Sequence, residues 1–574
     1  MILTALFATV ALADSDYGVT VNGITVTSEN KDDILSDGGK VKYDPDTNTL
    51  TATEMLSTVK GNGATNIVVT ASNAPSVADL TVTDASDVSV INTGNSAPVI
   101  NGSADITCSG EVEINSAGYI AVCGNLTVNG ATDISVTTSA SAPAITGDAN
   151  ITCTGNVEIT NDKSIAVNGK LTVNNAADVT VSGAKAPTIC NSADITCSGN
   201  VTISNKNYIA VFGKLTVNDA VDVTVSGKKE PTLCNPASIT CSGNVSITNT
   251  GSNAVSGTLT VNGAKDVTVT TDSLSPAISD GANITCTGNV TISNENNIAV
   301  SGMLTVMSAA DVTVSGAKAP TINGNADITC SGTAKIVNEG VYALGNLTFN
   351  QADGRAFSVK AGETVDSLAT VADVEAGNAY GPAAHREKVI YVEPVCSTVT
   401  FDANGGTASA ESAVTEINGK LASLPDATLE GFSFDGWFTE KDGGEEITLD
   451  KVFVADTTVY AHWTELPHVH NLTLVPAKEA TATEPGNIAY YTCDGCDLWF
   501  ADENGETEIT DKNSVIIPAL GEPTEPEEEC GCPFFRWLKA FTESCIKWIK
   551  EMPVSVSEWF AGVFNNILTI LKTN

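Results

Sequence analysis

The sequence predicts a mainly β chain: a parallel β-helix solenoid of about 22 residues per coil, two small β modules and a C-terminal amphipathic helical tail. Three observations predict it. The phrase ADITCSGNVTISN (193–205) recurs, lightly edited, over roughly 250 residues. Its apolar beats are three residues long, rich in Val, Ile and Thr, and are set apart by Gly, Asn and Ser. No stretch of this region carries the 3.6-residue period of a helix.

In chain order the first element is a leader. Residues 2–13 form an apolar run, and Ala11-Leu12-Ala13 supplies an A-x-A cleavage signal before Asp14, without the usual basic start. Residues 1–13 are read as a secretory signal peptide; a short buried strand is the other reading. Residues 14–380 form the β-helix with an N-terminal cap, in which KVKYDPDTNTLTA (40–52) reads as two strands joined by an Asp/Pro/Asn turn.

The repeat itself has three beats. The first is the ITC phrase with Cys108, Cys153, Cys197, Cys241, Cys286 and Cys330, alternating with an LTV phrase at Leu171-Thr172-Val173, Leu215-Thr216-Val217 and their sisters. The second begins at Val157, Val179, Val201, Val223, Val245, Val267, Val290 and Val312, in steps of 22 or 23. The third is a short corner segment such as Ile209-Ala210-Val211. Three short strands per coil over fourteen or fifteen coils predict a rod about 70 Å long, at a rise of about 4.8 Å per coil.

Alternation within a strand turns Ile and Cys inward and Thr outward. Cysteines two coils apart stand about 9.6 Å from one another, too far for a disulfide. They read as core filler alternating with Val; a metal ladder or redox relay is the competing reading. A second row, Asn156, Asp178, Asn200, Asp222, Asn244, Asp266, Asn289 and Asp311, alternates strictly before the second beat. Alternation doubles the spacing between like charges, so the row reads as corner capping; calcium on Asp178, Asp222, Asp266 and Asp311 is the alternative. Tyr119 and Tyr208 share one slot four coils apart and are candidate ligand contacts.

The opening YGVTVNGITVTSENKDDIL…GKVKYDPDTNTLT with its β-coils resembles secreted clostridial carbohydrate-binding β-helix proteins over residues 14–360. That resemblance implies a surface protein that meets glycans. Residues 397–465 resemble the Listeria–Bacteroides repeat of internalin-type surface proteins. The marks are Phe401-Asp402-Ala403-Asn404-Gly405-Gly406, Gly436-Trp437-Phe438, Gly443-Gly444 and Tyr460-Ala461-His462-Trp463. The resemblance implies a small β-grasp-like spacer or contact module without chemistry. Trp437, Phe438, Tyr460 and Trp463 are expected to form its core.

Residues 466–520 are similar to a short module common in clostridial surface proteins, with Ala480-Thr481-Ala482-Thr483 where that module carries a mid-way Cys. Cys493, Cys496 and His470 offer three zinc ligands and His468 a fourth; a local disulfide or free thiols are the alternatives. An acidic, Pro-containing linker (521–533) leads to the tail (534–574). There Phe534, Leu538, Phe541, Cys545 and Trp548 share one helical face, beside Arg536, Lys539, Lys547 and Lys550. Such a helix suits an anionic membrane or envelope; a self-packed helical hairpin is the alternative.

The formal charge of −40 with only 28 basic residues argues against a nucleic-acid partner. Residues 100–340 contain no His and no long insertion, whereas glycosidases and lyases build acid–base sites on loops that break the repeat. The expectation is therefore a non-enzymatic, extracellular or cell-surface repeat protein that binds polysaccharide or a host glycan. It requires no cofactor, with calcium as an option. A pure display scaffold and a polysaccharide lyase are the alternatives.

Overall fold

The ITC-type beats fold into strands of five residues, or six at Gly281–Cys286, whose alternate side chains are buried, as in Ala193–Cys197. The computed structural model describes residues 15–53, 56–72, 77–318, 320–466 and 469–521. The apolar beats stack coil on coil with parallel register, for example Val179↔Val201 and Val201↔Val223. Their inward side chains form one continuous core of Val, Ile, Leu, Ala and Cys from Val19 to Val392. This is the expected parallel β-helix.

It departs from expectation in two respects. The corner residues bridge in one unbroken column from Val77 through Val211 to Leu344, which counts thirteen turns rather than fourteen or fifteen and a rod of about 60 Å. The third beat is also a single bridge per coil, not a strand. Ala210 and Val211 are both fully buried, so the pleat's alternation fails, and both amides donate to the one carbonyl of Thr232.

Both ends of the stack are closed by antiparallel strands. At the N-terminal end Asp16–Val21 pairs with Ile24–Thr27 and against Lys60 and Val59, while Val41–Asp44 and Thr49–Ala52 form the expected hairpin. At the other end Val389–Pro394 lies antiparallel on Ala334–Asn338, and Tyr380–Ala384 on Asn346–Gln351. The sheet therefore runs on to Pro394, past the expected boundary at residue 380. Such closure hides the unpaired amides and carbonyls that would otherwise recruit another chain.

Residues 398–465 form a four-stranded sheet in which Thr398–Asp402 and Thr457–Glu465 run parallel side by side, flanked by Ser412–Val414 and Phe432–Phe438. Its first and last strands thus lie parallel, and among the described residues no helix crosses the sheet. Of the four expected core aromatics only Trp437 is fully buried, with its Nε1 donating to Pro425 O at 2.7 Å. The register Trp437↔Ala461 and Phe438↔Tyr460 puts the second pair on the opposite face. There Phe438 stacks on His462 at 3.9 Å and Lys441 approaches Tyr460. Trp463 is half-buried against the core. Arg355, fully buried, pairs with Asp353 and donates to the carbonyls of Ser331 and Ile417, joining the last coils to this module.

Residues 469–521 form a second unit built on Leu472–Val475, Tyr490–Cys493 and Trp499–Phe500. Among the described residues the only helical turns are two short 3-10 turns, Val365–Ser367 and Lys512–Val515, and no helix is long and apolar enough to cross a membrane. The expected leader (1–13), the linker from residue 522 and the helical tail (534–574) lie outside the described residues.

Candidate functional site

The outward side chains of the rod fall into rows because every coil repeats the same pleat. On the second-beat face Thr180, Thr202, Thr224, Ser246, Thr268, Thr291 and Thr313 stand in direct register over seven successive coils. Beside them run Ser182, Ser204, Ser226, Thr248, Thr270, Ser293 and Ser315. The hydroxyls repeat at about 4.8 Å along the rod and about 6.6 Å along each strand. The first-beat face carries a companion row alternating Thr with acid, amide or Ser: Thr172, Asp194, Thr216, Ser238, Thr260, Asn283.

Tyr119 and Tyr208 occupy equivalent corner positions, as expected. The amide of Tyr119 donates to Ser116 Oγ and that of Tyr208 to Asn205 Oδ1, so a buried polar row sets both backbones. That row went unread in the sequence. Asn92, Asn161, Asn205, Asn249, Asn294 and Asn338 are all at most 4% exposed and lie at the ends of second-beat strands. Asn205 donates to Ala186 O and Thr188 Oγ1 and accepts from the amides of Asn207 and Tyr208. The signal was present as ITN or ISN at Asn161, Asn205, Asn249 and Asn294, 44 or 45 residues apart, but Asn at a turn reads first as a solvated cap.

The Asp/Asn row caps the corners. Asp178, Asp222, Asp266 and Asp311 each accept the backbone amide one coil on, from Asn200, Asn244, Asn289 and Thr333, all at 2.6 Å. The neutral members accept at longer range, Asn156 at 3.4 Å and Asn200 at 3.2 Å, as uncharged acceptors do. This contact explains the glycine of every CSG or CTG corner. A Cβ on Gly199 or Gly243 would lie 2.3 or 2.4 Å from the carboxylate oxygen of the preceding coil.

The ITC cysteines are buried, and burial pushes the thiols of Cys108, Cys153, Cys241 and Cys286 up to about 11 and that of Cys330 to about 12. Each opposes Ala on the preceding coil, as in Ala176↔Cys197 and Ala220↔Cys241, not Val as expected. The cause is a bulge. Gly130, Asn175, Asp219, Gly263 and Ser308 take left-handed φ (59° to 79°) and advance the register. A bulky Cys therefore packs over a small Ala.

In the second unit the register Leu472↔Cys493 brings the strand after His470 against the C-x-x-C turn. Ligand atoms of His470, Cys493 and Cys496 lie within 4.8 Å of one another, and this is the only such metal-ligand group of three or more among the described residues. His468 lies outside the described residues.

Residues 398–462 match the Listeria–Bacteroides repeat domain. Neither the curated proteins nor the solved structures give a match to the chain. The matched repeat is a surface-associated domain, consistent with a non-catalytic surface protein.

Proposed function

We propose that this chain is an exported, non-catalytic surface protein whose rod binds an extended polysaccharide or cell-surface glycan. The supporting observation is the double hydroxyl row that runs in register over seven coils. A polymer lying along the rod meets chemically similar donors and acceptors at every step, each contact weak and the sum useful. Tyr119 and Tyr208, about 19 Å apart along the rod, supply apolar faces for sugar rings. Acidic glycans are the first candidates, with calcium bridging them to the Asp178–Asp311 row against the chain's own negative charge. The leader directs export, and the basic tail rests on the envelope.

Affinity electrophoresis of the full chain against uronic-acid and neutral polymers, with a chelator arm and an assay for new reducing ends, tests this reading. Retardation that falls in Thr202→Val/Thr224→Val/Thr268→Val, without new reducing ends, supports it. No retardation by any polymer overturns it in favour of a display scaffold, and product release overturns the non-catalytic part. N-terminal sequencing of the secreted or envelope form is expected to begin near Asp14; an intact Met1 form confined to the cytosol refutes export.

A further inference from the structure

We propose that His470, Cys493 and Cys496 hold a zinc ion through three protein ligands, with the fourth tetrahedral position left to solvent. The proposal is independent of the glycan reading, since all three residues lie in the second unit. The distances carry it. Zinc bonds of about 2.3 Å to sulfur and about 2.0–2.1 Å to imidazole nitrogen, at the tetrahedral angle, separate S from N by about 3.6 Å and S from S by about 3.8 Å. Cys496 Sγ lies 3.6 Å from His470 Nδ1, and all the ligand atoms fall within 4.8 Å of one another. Contraction by at most about 1 Å therefore completes the set.

The surroundings hold these ligands in place. Asp494 donates its amide to Asn471 O and accepts from the Asn471 amide and the Thr473 hydroxyl, which pins the C-x-x-C turn to the residues just after His470. The Leu498 amide is directed at the Cys496 sulfur, which helps to orient that ligand. The His470 ring packs on Phe500 with centroids 4.4 Å apart, fixing its plane. Two thiolates and one imidazole form a soft donor set that favours zinc over calcium or magnesium. As the metal binds, two thiol protons leave to solvent and the thiolate sulfurs bond the ion.

The test uses the full chain, purified under reducing conditions without chelator. Elemental analysis is expected to find about one zinc per chain, as a single three-ligand site requires. Replacement by cobalt(II) is expected to give tetrahedral visible bands with thiolate charge transfer. Cys493→Ser/Cys496→Ser abolishes the charge-transfer band, and His470→Ala shifts the visible bands while keeping part of it. Loss of signal through misfolding is separated by mapping thiol alkylation on the unaltered chain. Zinc shields Cys493 and Cys496, and a chelator exposes them. Three results overturn the proposal: no bound metal with both thiols freely labelled, a Cys493–Cys496 disulfide by mass, or an unchanged cobalt spectrum in the double variant.

Discussion

Replacing Asn205 by Ala is expected to open the middle of the rod locally and to cost about 4 kcal/mol, from four hydrogen bonds at about 1 kcal/mol each. The side chain is 4% exposed and donates to Ala186 O at 2.6 Å and Thr188 Oγ1 at 3.0 Å. It also accepts from the Asn207 and Tyr208 amides at 3.0 and 2.7 Å. Alanine removes all four bonds and leaves these groups without the partner the carboxamide supplies. Because coils interact chiefly with their neighbours, the loss is expected to stay within a few turns. Hydrogen exchange read peptide by peptide is the assay. Protection between residues 183 and 232 should fall by about three orders of magnitude, at tenfold per 1.4 kcal/mol, while residues 277–330 keep theirs. Asn207→Ala, on the exposed side of the same turn, serves as the control. A fall of less than tenfold in Asn205→Ala, or an equal fall in both variants, would refute the view that the buried Asn row clamps the corners.

Substitutions at two further positions, and the labelling of one thiol, probe the corners and core. Cys197→Ala should cost about 1 kcal/mol, close to the loss of one buried methylene-sized group, whereas Cys197→Asp should unfold several coils, because a carboxylate there would be buried over Ala176 and beside the Gly199 carbonyl and the charges of Asp178 and Asp219. Native Cys330, whose thiol burial pushes up to about 12, should resist alkylation at neutral pH until the chain is denatured; rapid native labelling contradicts the packing assignment. Asp222→Asn should be nearly neutral in a urea titration, since Asn200 already caps by the same contact, while Asp222→Ala should cost about 1 kcal/mol for the lost cap. Equal stability of both variants would show that the row does not cap.

The sequence by itself determined the parallel β-helix, its coil length and the inward facing of the ITC cysteines, because all three follow from a period. A 22-residue repeat forces equivalent residues into stacked columns, and alternation within a strand chooses the face. It also placed the Listeria–Bacteroides repeat, whose marks are local. Only the tertiary structure decided what touches what across coils. The one-residue bulge at Asn175 or Asp219 moved Ala, not Val, opposite each cysteine, and nothing in a single coil records that shift. The buried Asn row looked like ordinary turn chemistry until its partners, 17 to 19 residues away, enclosed it. His470 and the C-x-x-C turn are more than twenty residues apart, and the pairing of Leu472 with Cys493 sets their ligand atoms within reach of one ion. Periodicity is a property of the chain, whereas register belongs to the folded stack.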